Sequence, residues 1–320
     1  MSGEPVPLRV AVLAGGLSLE REVSLRSGRR VAEALGDRGH QVTRLDLDEG
    51  LVDRLVDADV DACYLALHGK AGEDGTIQSL LELLGLPYTG PDAVASAIAW
   101  DKVVCKGLLA RAGLATPDWV AVSSDAIQDM GAAGALDRVS DRLGSALVVK
   151  PAQGGASMGV RRAQAGEDLS GALVTAFSYH DVVLIERFVA GTEVAVSVVD
   201  GAPLPAVEIV PRAGTYDFAA RYTHGATEFF SPARLDEAAL DRCREIAVEA
   251  YRIVGCRDVS RADLMVDADG NPWLLELDTC PGMTETSLLP MAAQAGGWDF
   301  SVLCERIVRL AAERRRPAHA

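Results

Sequence analysis

The sequence predicts an α/β protein in which a parallel sheet is followed by antiparallel hairpins. Apolar strands and helical patterns alternate in the first third, over residues 8–14, 23–35, 62–67 and 77–84. This alternation is typical of βαβ units, which place ligands at the carboxyl ends of parallel strands. Further along, Asp200-Gly201 and Asp269-Gly270 each separate two runs of alternating hydrophobicity. Such pairs favour tight hairpin turns.

Composition indicates a globular chain that does not bind polyanions. Its 320 residues, 49% of them hydrophobic and 5% aromatic, suffice for two or three packed units. The net charge of −15 and the pI near 4.8 argue against nucleic acid or an anionic membrane as the partner. The one basic run, Arg314 to Arg316, ends a predicted C-terminal helix, where positive charge suits the helix dipole.

Cysteine usage and the N-terminus predict a cytoplasmic location. The six cysteines are scattered without a Cys-x-x-Cys pair, which is typical of a reduced compartment. The first residues lack a charged segment, and their apolar run has strand length. No signal peptide or membrane span is therefore expected.

The hairpin around Asp269-Gly270 places several charges on one face. Outward pairing from a type I′ turn sets Asp263 opposite Glu276 and Arg261 opposite Asp278, so these four side chains share a face. The opposite face is expected to be the core face, with Ala262, Leu264, Val266, Trp273, Leu275 and Leu277. Three grouped carboxylates favour a hard divalent cation. The alternative is a solvated edge with cross-strand ion pairs, but the Pro-Gly turn that follows supports an anionic ligand bridged by Mg²⁺.

Polar loops after the first two strands predict a shared crevice that contains Glu20, His68 and Glu73. The pair Gly15-Gly16 resembles a dinucleotide fingerprint only weakly, because the third glycine is missing and Glu20 would repel a pyrophosphate. A carboxylate there suits an ammonium group better. A helical segment over 92–112 carries Lys102 and Lys106 one turn apart, which alone decides nothing.

A lysine and a glycine-rich loop follow the next strand. Lys150 precedes the segment PAQGGASMG, which is either a hairpin turn or a flap whose backbone amides surround phosphates. The segment 186–189 mixes polar and apolar residues suited to an adenine edge. The long polar loop 211–231 is typical of a lid.

These segments together resemble the D-alanine–D-alanine ligases of the ATP-grasp superfamily. The shared motifs are GGLSLEREVSLRSG, ALHGKAGEDGTIQSLLELLGLPYTG, DKVVCK, TPDW, VVKPAQGGASMGV and LLELDTCPGMTETSLLPMA. The similarity spans about residues 8 to 310. It implies an N-terminal Rossmann-like domain (1–90) and two α+β domains (91–185 and 186–320) that clamp ATP, with 211–231 as the lid.

The resemblance also implies the nucleotide contacts. The ATP-binding residues should be Lys102, Lys150, Ser157, Glu186, Arg187, Phe188, Val189 and Glu193. The two lysines would contact phosphates and the serine would belong to the flap. The four residues from 186 to 189 would line the adenine, and the last glutamate would meet the ribose.

The remaining implied residues serve catalysis, substrate and metal. The catalytic residues should be Glu20, Tyr222, Arg261 and Gly282; the substrate-binding residues His68, Ser287 and Leu288; and the metal ligands Asp263, Glu276 and Asp278. The implied reaction phosphorylates one D-alanine with ATP and joins the acylphosphate to the second amine, for peptidoglycan precursors. Two Mg²⁺ ions, replaceable by Mn²⁺, and a homodimer are implied as well, with no nucleic acid or membrane as partner.

Two positions depart from the family pattern. Asp278 stands where an asparagine ligand is usual, and we expect it either to bind metal or to neutralise Arg261. Ala156 replaces a serine that links Glu20 to the lid residue Tyr222, which weakens lid coupling by about 1 kcal/mol. Tyr222 itself favours an amide product over an ester. The alternatives are a paralogue that joins other D-amino acids and a regulator that binds nucleotide without catalysis.

Overall fold

The computed structural model describes residues 6–130, 132–164, 168–212, 216, 220, 221, 223 and 225–314. Three sheets follow one another along the chain. The predicted parallel sheet comes first and is followed by two antiparallel sheets, so the predicted α/β class is confirmed.

The first sheet is parallel with strand order β2-β1-β3. Its strands are β1 (Arg9–Ala14), β2 (Gln41–Asp46) and β3 (Ala62–Leu65), and its helices are α1 (Arg21–Asp37), α2 (Leu51–Asp57), α3 (Lys70–Glu73) and α4 (Thr76–Leu83). Helix α1 packs closely on β1 because Gly28 has no side chain. A Cβ there would lie 2.5 Å from the Cβ of Ala14. This approach sets Glu20, which precedes α1, beside the carboxyl end of β1.

The second sheet is antiparallel with strand order β4-β7-β5-β6. This part contains α5 (Ala93–Trp100), α6 (Lys102–Arg111), β4 (Trp119–Ser123), α7 (Ser124–Met130), α8 (Ala132–Leu143), β5 (Ala146–Pro151), β6 (Arg161–Gln164), α9 (Leu169–Phe177) and β7 (Val182–Arg187). The prediction of one continuous helix over 92–112 is wrong, because the structure has two helices there, α5 and α6. The chain turns at Asp101, whose carboxylate caps α6 by accepting hydrogen bonds from the backbone N–H of Val103 and Val104.

The third sheet has the path β11-β10-β8-β12-β13, and β9 pairs with β8. Its strands are β8 (Thr192–Val199), β9 (Ala202–Pro203), β10 (Val207–Pro211), β11 (Thr227–Phe230), β12 (Val259–Val266) and β13 (Pro272–Asp278), and its helices are α10 (Glu237–Val254), α11 (Leu288–Ala295) and α12 (Phe300–Glu313). The predicted loop 211–231 is therefore shorter, because Thr227–Phe230 pairs with β10.

The two Asp-Gly pairs form different turns. Asp200 and Gly201 have φ values of 55° and 73°, and Val199 pairs with Ala202, which confirms a tight two-residue hairpin. The type I′ turn predicted at Asp269-Gly270 is wrong, because only the glycine of that pair has a positive φ, 78°. The wider loop is stabilised by the Asp267 carboxylate, which accepts hydrogen bonds from the N–H groups of Asp269 and Asn271.

A β-bulge between β12 and β13 restores the register that the wider turn displaces. Asp263 pairs with Glu276 as predicted, but Leu264 pairs with Leu274, so one residue of β13 has no opposite partner. The bulge changes which side chains reach the core: Leu274 is buried there, whereas Trp273 and Leu275, predicted to face the core, are only partly buried. The charged face is predicted correctly because it lies beyond the bulge.

The first and third sheets are joined by a buried carboxylate. Asp258 accepts a hydrogen bond from the backbone N–H of Gly90 at 2.9 Å and forms an ion pair with Arg314, at the end of α12. Arg314 also donates to the backbone oxygen of Tyr88. All six cysteines are buried free thiols. Within the described ranges, no helix combines the length and apolar character needed to cross a bilayer.

Candidate active site

Two adjoining cavities lie where the three sheets meet. The inner pocket has about 840 Å³ of space, counting its open mouth, and is lined among others by Glu20, His68, Glu73, Lys102, Gly155, Ala156, Arg261, Asp278, Gly282, Ser287 and Leu288. The outer cleft, of about 810 Å³, is lined among others by Lys150, Ser157, Glu186, Arg187, Phe188, Val189, Glu193, Asp263 and Leu275. Tyr216, Arg221 and Glu276 line both cavities.

The structure brings the predicted residues together at these cavities, with one exception. Glu20, His68 and Glu73 share the inner pocket, which confirms the predicted crevice. Tyr222 lies outside the described residues, as does part of the predicted lid, so its role stays a prediction.

Three side chains on the β12–β13 hairpin form what we call the aspartate triad: the buried Asp263 and Arg261, and the partly buried Asp278. Arg261 donates from Nε and Nη2 to the two oxygens of Asp263, at 2.6 and 2.8 Å. Its Nη1 lies 2.8 Å from an oxygen of Asp278. Burial acts against the charge of Arg261, but the two aspartates outweigh it and hold the arginine pKa well above its ordinary value. The triad is anion–cation–anion and carries one excess negative charge.

Glu276 lies on the same face and pairs with a lysine. Its carboxylate is 3.3 Å from Nζ of Lys102. Burial acts to raise the pKa of Glu276, but Lys102 and Lys150 outweigh it and bring the pKa to about 2. In contrast, burial raises the pKa of Asp263 although Arg261 opposes that shift. The face thus combines an ionised glutamate with an aspartate whose charge is costly to keep buried.

This carboxylate face fits a magnesium ion that is shared with a bound phosphate. In the part of the chain that the structure describes, no group of three or more histidine, cysteine or acidic side chains is arranged to hold an ion unaided. Mg²⁺ is usually held by one or two carboxylates together with water and substrate phosphate oxygens. Asp263 and Glu276, paired across the hairpin, supply such a donor set. The metal assignment itself stays a prediction.

The Glu20 carboxylate lies against the glycine loop that follows β5. A Cβ built on Gly155 would lie 2.4 Å from Oε1 of Glu20, so any larger residue at this position would require the Glu20 carboxylate to move. Glu20 is buried at the wall of the inner pocket. Nearby, the partly buried Glu73 accepts a hydrogen bond from the N–H of Gly69, yet burial raises its pKa well above its ordinary value. An ammonium or metal cation would offset the cost of ionising Glu73.

His68 connects the first sheet to the turn after β13. Its Nε2 lies 2.9 Å from Oγ of Ser27, and this oxygen also accepts a hydrogen bond from the N–H of Met283 at 3.2 Å. Burial lowers the pKa of His68, so the ring is neutral. Sequence reasoning missed Ser27, which orients the ring.

The turn after β13 is tightly built around Gly282. A Cβ there would lie 2.6 Å from Oγ of Ser287, so a side chain at this position would displace the serine hydroxyl. Ser287 Oγ accepts a hydrogen bond from the N–H of Thr284 at 3.0 Å. Ser287 precedes α11, and Leu288 is buried at its first position. The turn therefore presents small polar groups to the inner pocket.

A second buried group, the lysine triad of Lys106, Glu186 and Lys150, borders the outer cleft, which Glu186 and Lys150 line. The two Glu186 oxygens lie 2.7 Å from Nζ of Lys106 and 2.7 Å from Nζ of Lys150. Burial acts to raise the pKa of Glu186, but the two lysines outweigh it and the pKa is lowered. This triad is cation–anion–cation and carries one excess positive charge.

The rest of the outer cleft is lined by the ring of Phe188 and by the polar side chains of Arg187 and Glu193. Phe188 is stacked by Arg162, whose guanidinium carbon lies 3.8 Å from the ring centre, and Arg187 lies 4.8 Å from the ring centre of Trp273. Burial raises the pKa of Glu193 to about 7, so this carboxyl group is partly protonated near neutrality.

The glycine loop and the segment after β10 are linked by Arg221. Its Nε donates to Oγ of Ser157 at 3.0 Å, and its guanidinium lies 4.4 Å from the ring centre of Tyr216. Ala156 and Ser157 have φ values of 50° and 55°, a conformation that costs a non-glycine residue about 1–3 kcal/mol. Sequence reasoning missed Arg221, whose only signal was its place in the predicted lid.

Comparison with known proteins gives a consistent result. Family models described as the N-terminus and C-terminus of D-ala D-ala ligase match residues 52–91 and 108–309. A D-alanine–D-alanine ligase of Anaeromyxobacter dehalogenans (strain 2CP-C) is 46% identical over 300 residues, which are 94% of this chain and 96% of that protein. One from Syntrophotalea carbinolica is 43% identical over 307 residues, 96% of this chain and 97% of that protein.

Solved structures show the same similarity. A crystal structure of D-alanine–D-alanine ligase from Bacillus anthracis has a TM-score of 0.85 and 34% identity, covering 96% of this chain and 98% of that chain. VanG D-Ala:D-Ser ligase from Enterococcus faecalis has a TM-score of 0.83 and 27% identity, covering 96% of this chain and 100% of that chain.

Proposed function

The chain belongs to the D-alanine–D-alanine ligase family, and we propose that its outer cleft binds ATP while its inner pocket binds two D-alanine molecules. The fold is the ATP-grasp fold of that family. The protein is an ATP-dependent ligase that forms D-alanyl-D-alanine for peptidoglycan precursors. The observation that carries the site assignment is the pair of oppositely charged buried triads, which border adjoining cavities.

The outer cleft has the groups that a nucleotide requires. Lys150, with Lys102 at the boundary between the cavities, supplies positive charge for phosphates, and the glycine loop that carries Ser157 covers them. The segment from Glu186 through Arg187 and Phe188 to Val189 lines the adenine. Glu193 meets the ribose, since a carboxyl group with pKa about 7 accepts or donates hydrogen bonds to hydroxyl groups.

The inner pocket has the groups that amino acids require. Glu20 pairs with the ammonium group of the first D-alanine, and the neutral His68 lies near its carboxylate. Ser287 and the start of α11 at Leu288 hold the carboxylate of the second D-alanine. The free N–H groups of a helix N-terminus suit such an anion.

The reaction proceeds in two displacements. A carboxylate oxygen of the first D-alanine attacks the γ-phosphorus, the bond to the β–γ bridging oxygen breaks, and ADP leaves. The amine of the second D-alanine then attacks the acyl carbon and loses a proton, and inorganic phosphate leaves with the electron pair of the acyl–oxygen bond. The side chains contribute by positioning and by fixed charge where negative charge develops.

Arg261 is suited to stabilise the oxyanion of the second step. Three of its N–H groups are directed to Asp263 and Asp278, and a guanidinium has five, so two remain for a ligand. The aspartates also fix its orientation before substrate binds. The backbone N–H of Gly282 is the second proposed donor, in a turn where a side chain would displace the Ser287 hydroxyl. The family resemblance supports a further catalytic role for Tyr222, as a residue of the lid.

Two Mg²⁺ ions belong to the same proposal, with Mn²⁺ as a substitute. Asp263, Glu276 and Asp278 would hold them together with phosphate oxygens. When bound, the metal would neutralise charge on the transferred phosphoryl group. A cytoplasmic location is supported by the six free thiols, and a homodimer is supported by the family resemblance. Domain boundaries near residues 90 and 185 are supported by the division of the chain into three sheets.

The test is ATP- and Mg²⁺-dependent phosphate release with D-alanine alone, and then with D-alanine paired against D-serine or D-lactate. We expect robust release with D-alanine alone and D-alanyl-D-alanine as the product identified by mass. Release only with a mixed pair would show that the inner pocket selects a different second substrate, and Ala156 and Asp278 would then be the residues that mark the changed specificity. The relatives found support D-alanine.

A further inference from the structure

Lys106 is a buried cation that does not line either cavity. It lies on α6, one turn after Lys102, and is 3% exposed. Its Nζ forms an ion pair with Glu186 at 2.7 Å, donates a hydrogen bond to Oγ1 of Thr116, and lies 5.2 Å from the ring centre of Trp119. A buried lysine is costly to desolvate, so its retention here calls for a reason beyond packing.

Glu186 transmits the effect of Lys106 to the cleft. One carboxylate oxygen faces Lys106, and the other lies 2.7 Å from Nζ of Lys150. Lys150 lines the outer cleft, and its Nζ also lies 3.5 Å from the backbone oxygen of Leu275. Without Lys106, Glu186 would neutralise Lys150 alone, and the net charge of the buried group would fall from +1 to zero.

We infer that Lys106 is a positioning residue for ATP phosphates: it occupies one oxygen of Glu186, so that the Lys150 ammonium remains available to the nucleotide. The inference rests on the proposed role of the outer cleft. Lys106 itself touches no substrate. Its effect should therefore be confined to phosphate-bearing ligands, whereas damage to the fold would affect every ligand of the cleft.

The electrostatic environment supports this role. Burial lowers the pKa of Lys106 to about 8, Glu186 acts to raise it, and the positive charge of Lys150 acts to lower it further. The two ammonium groups thus repel each other, and the carboxylate between them holds both in place. A neutral residue at position 106 would remove the repulsion and tighten the Lys150–Glu186 pair.

The test compares ADP, which has phosphates, with adenosine, which has none, by isothermal titration calorimetry in the presence of Mg²⁺. In Lys106→Met we expect ADP to bind at least about tenfold more weakly, the effect of one charge acting at short range, and adenosine to bind within about twofold of wild type. The matched control is Arg111→Met, on the exposed side of the same helix, which should bind both ligands as wild type does.

A second variant separates charge from packing. In a Glu186→Gln background no carboxylate remains to neutralise Lys150, so adding Lys106→Met should change the ratio of ADP affinity to adenosine affinity by less than about threefold relative to Glu186→Gln alone. Equal weakening of ADP and adenosine in Lys106→Met would overturn the inference, as would a selective loss of ADP affinity from Lys106→Met that is as large in the Glu186→Gln background as in wild type. Absence of both ADP and adenosine binding in the wild type would instead refute the assignment of the outer cleft to ATP.

Discussion

The two buried triads are opposite in charge and similar in construction. The lysine triad places one carboxylate between two ammonium groups, and the aspartate triad places one guanidinium between two carboxylates, with contacts of 2.6 to 2.8 Å in both. Each retains one excess charge in a buried setting, where unpaired charge is costly. In the proposed function this difference divides the site in two: phosphates would complete the positive triad, and metal or ammonium cations would complete the negative one.

The largest effect should follow from removing the charge of Asp263. We expect Asp263→Asn to lower kcat by about 10³-fold, because the change removes a carboxylate from the proposed metal site and loosens Arg261. Steady-state phosphate release measures this. Asp269→Asn, in the exposed turn of the same hairpin, is the control and should retain wild-type turnover. Wild-type turnover in Asp263→Asn would remove the aspartate triad from the mechanism.

A smaller loss is expected at Glu20, a carboxylate outside both triads. Glu20→Gln keeps the shape but removes the charge that would pair with the first D-alanine, so kcat/KM for D-alanine should fall about 10²-fold. The KM for ATP should stay within about twofold, because the outer cleft is untouched. Glu22→Gln, exposed on the same helix, serves as the control. An equal loss for both substrates would contradict the division between the cavities.

The triads also show what could be predicted from the sequence. Alternation along two strands was enough to place Arg261, Asp263, Glu276 and Asp278 on one face. It could not reveal the wider turn, because the same Asp-Gly pair forms a tight hairpin at Asp200 and a longer loop where the Asp267 carboxylate binds nearby N–H groups. The charged face is nevertheless predicted correctly, because the bulge between Asp263 and Leu264 restores the register that the longer turn shifts.

The lysine triad was largely beyond sequence reasoning. A lysine on a helix is most often solvated, and nothing in the pattern at Lys106 distinguished it from an exposed one. Its burial depends on contacts with Trp119 on β4 and Glu186 on β7, which are distant in sequence. The sequence predicts Glu186 near adenine. Its ion pairs with Lys106 and Lys150 depend on tertiary packing, which the local sequence does not indicate.

The effect at Asp278 should appear in metal dependence rather than in maximal rate. Asp278→Asn removes the excess charge of the aspartate triad while keeping an oxygen that can accept the hydrogen bond from the N–H of Cys280. We expect the Mg²⁺ concentration for half-maximal activity to rise about tenfold, since ligand charge sets affinity for hard cations. The kcat at saturating Mg²⁺ should remain within about threefold.

A readout independent of turnover is the Mg²⁺ dependence of ADP binding, measured by calorimetry, which should shift in the same direction. If Asp278→Asn left both the metal dependence and the rate unchanged, neither metal binding nor control of Arg261 could be assigned to this residue.

The smallest effect concerns the link between the cavities, where Arg221 reaches Ser157. Ser157→Ala removes one hydrogen bond to a charged group, and we expect kcat/KM to fall about fivefold, corresponding to about 1 kcal/mol. Both side chains occupy the same left-handed backbone conformation at position 157, so backbone strain is nearly matched. The loss should vanish when Ser157→Ala is introduced into Arg221→Lys, because the donor at Nε is already absent there. Additive losses in the double variant would mean that Ser157 acts through the phosphate flap alone and not through its hydrogen bond with Arg221.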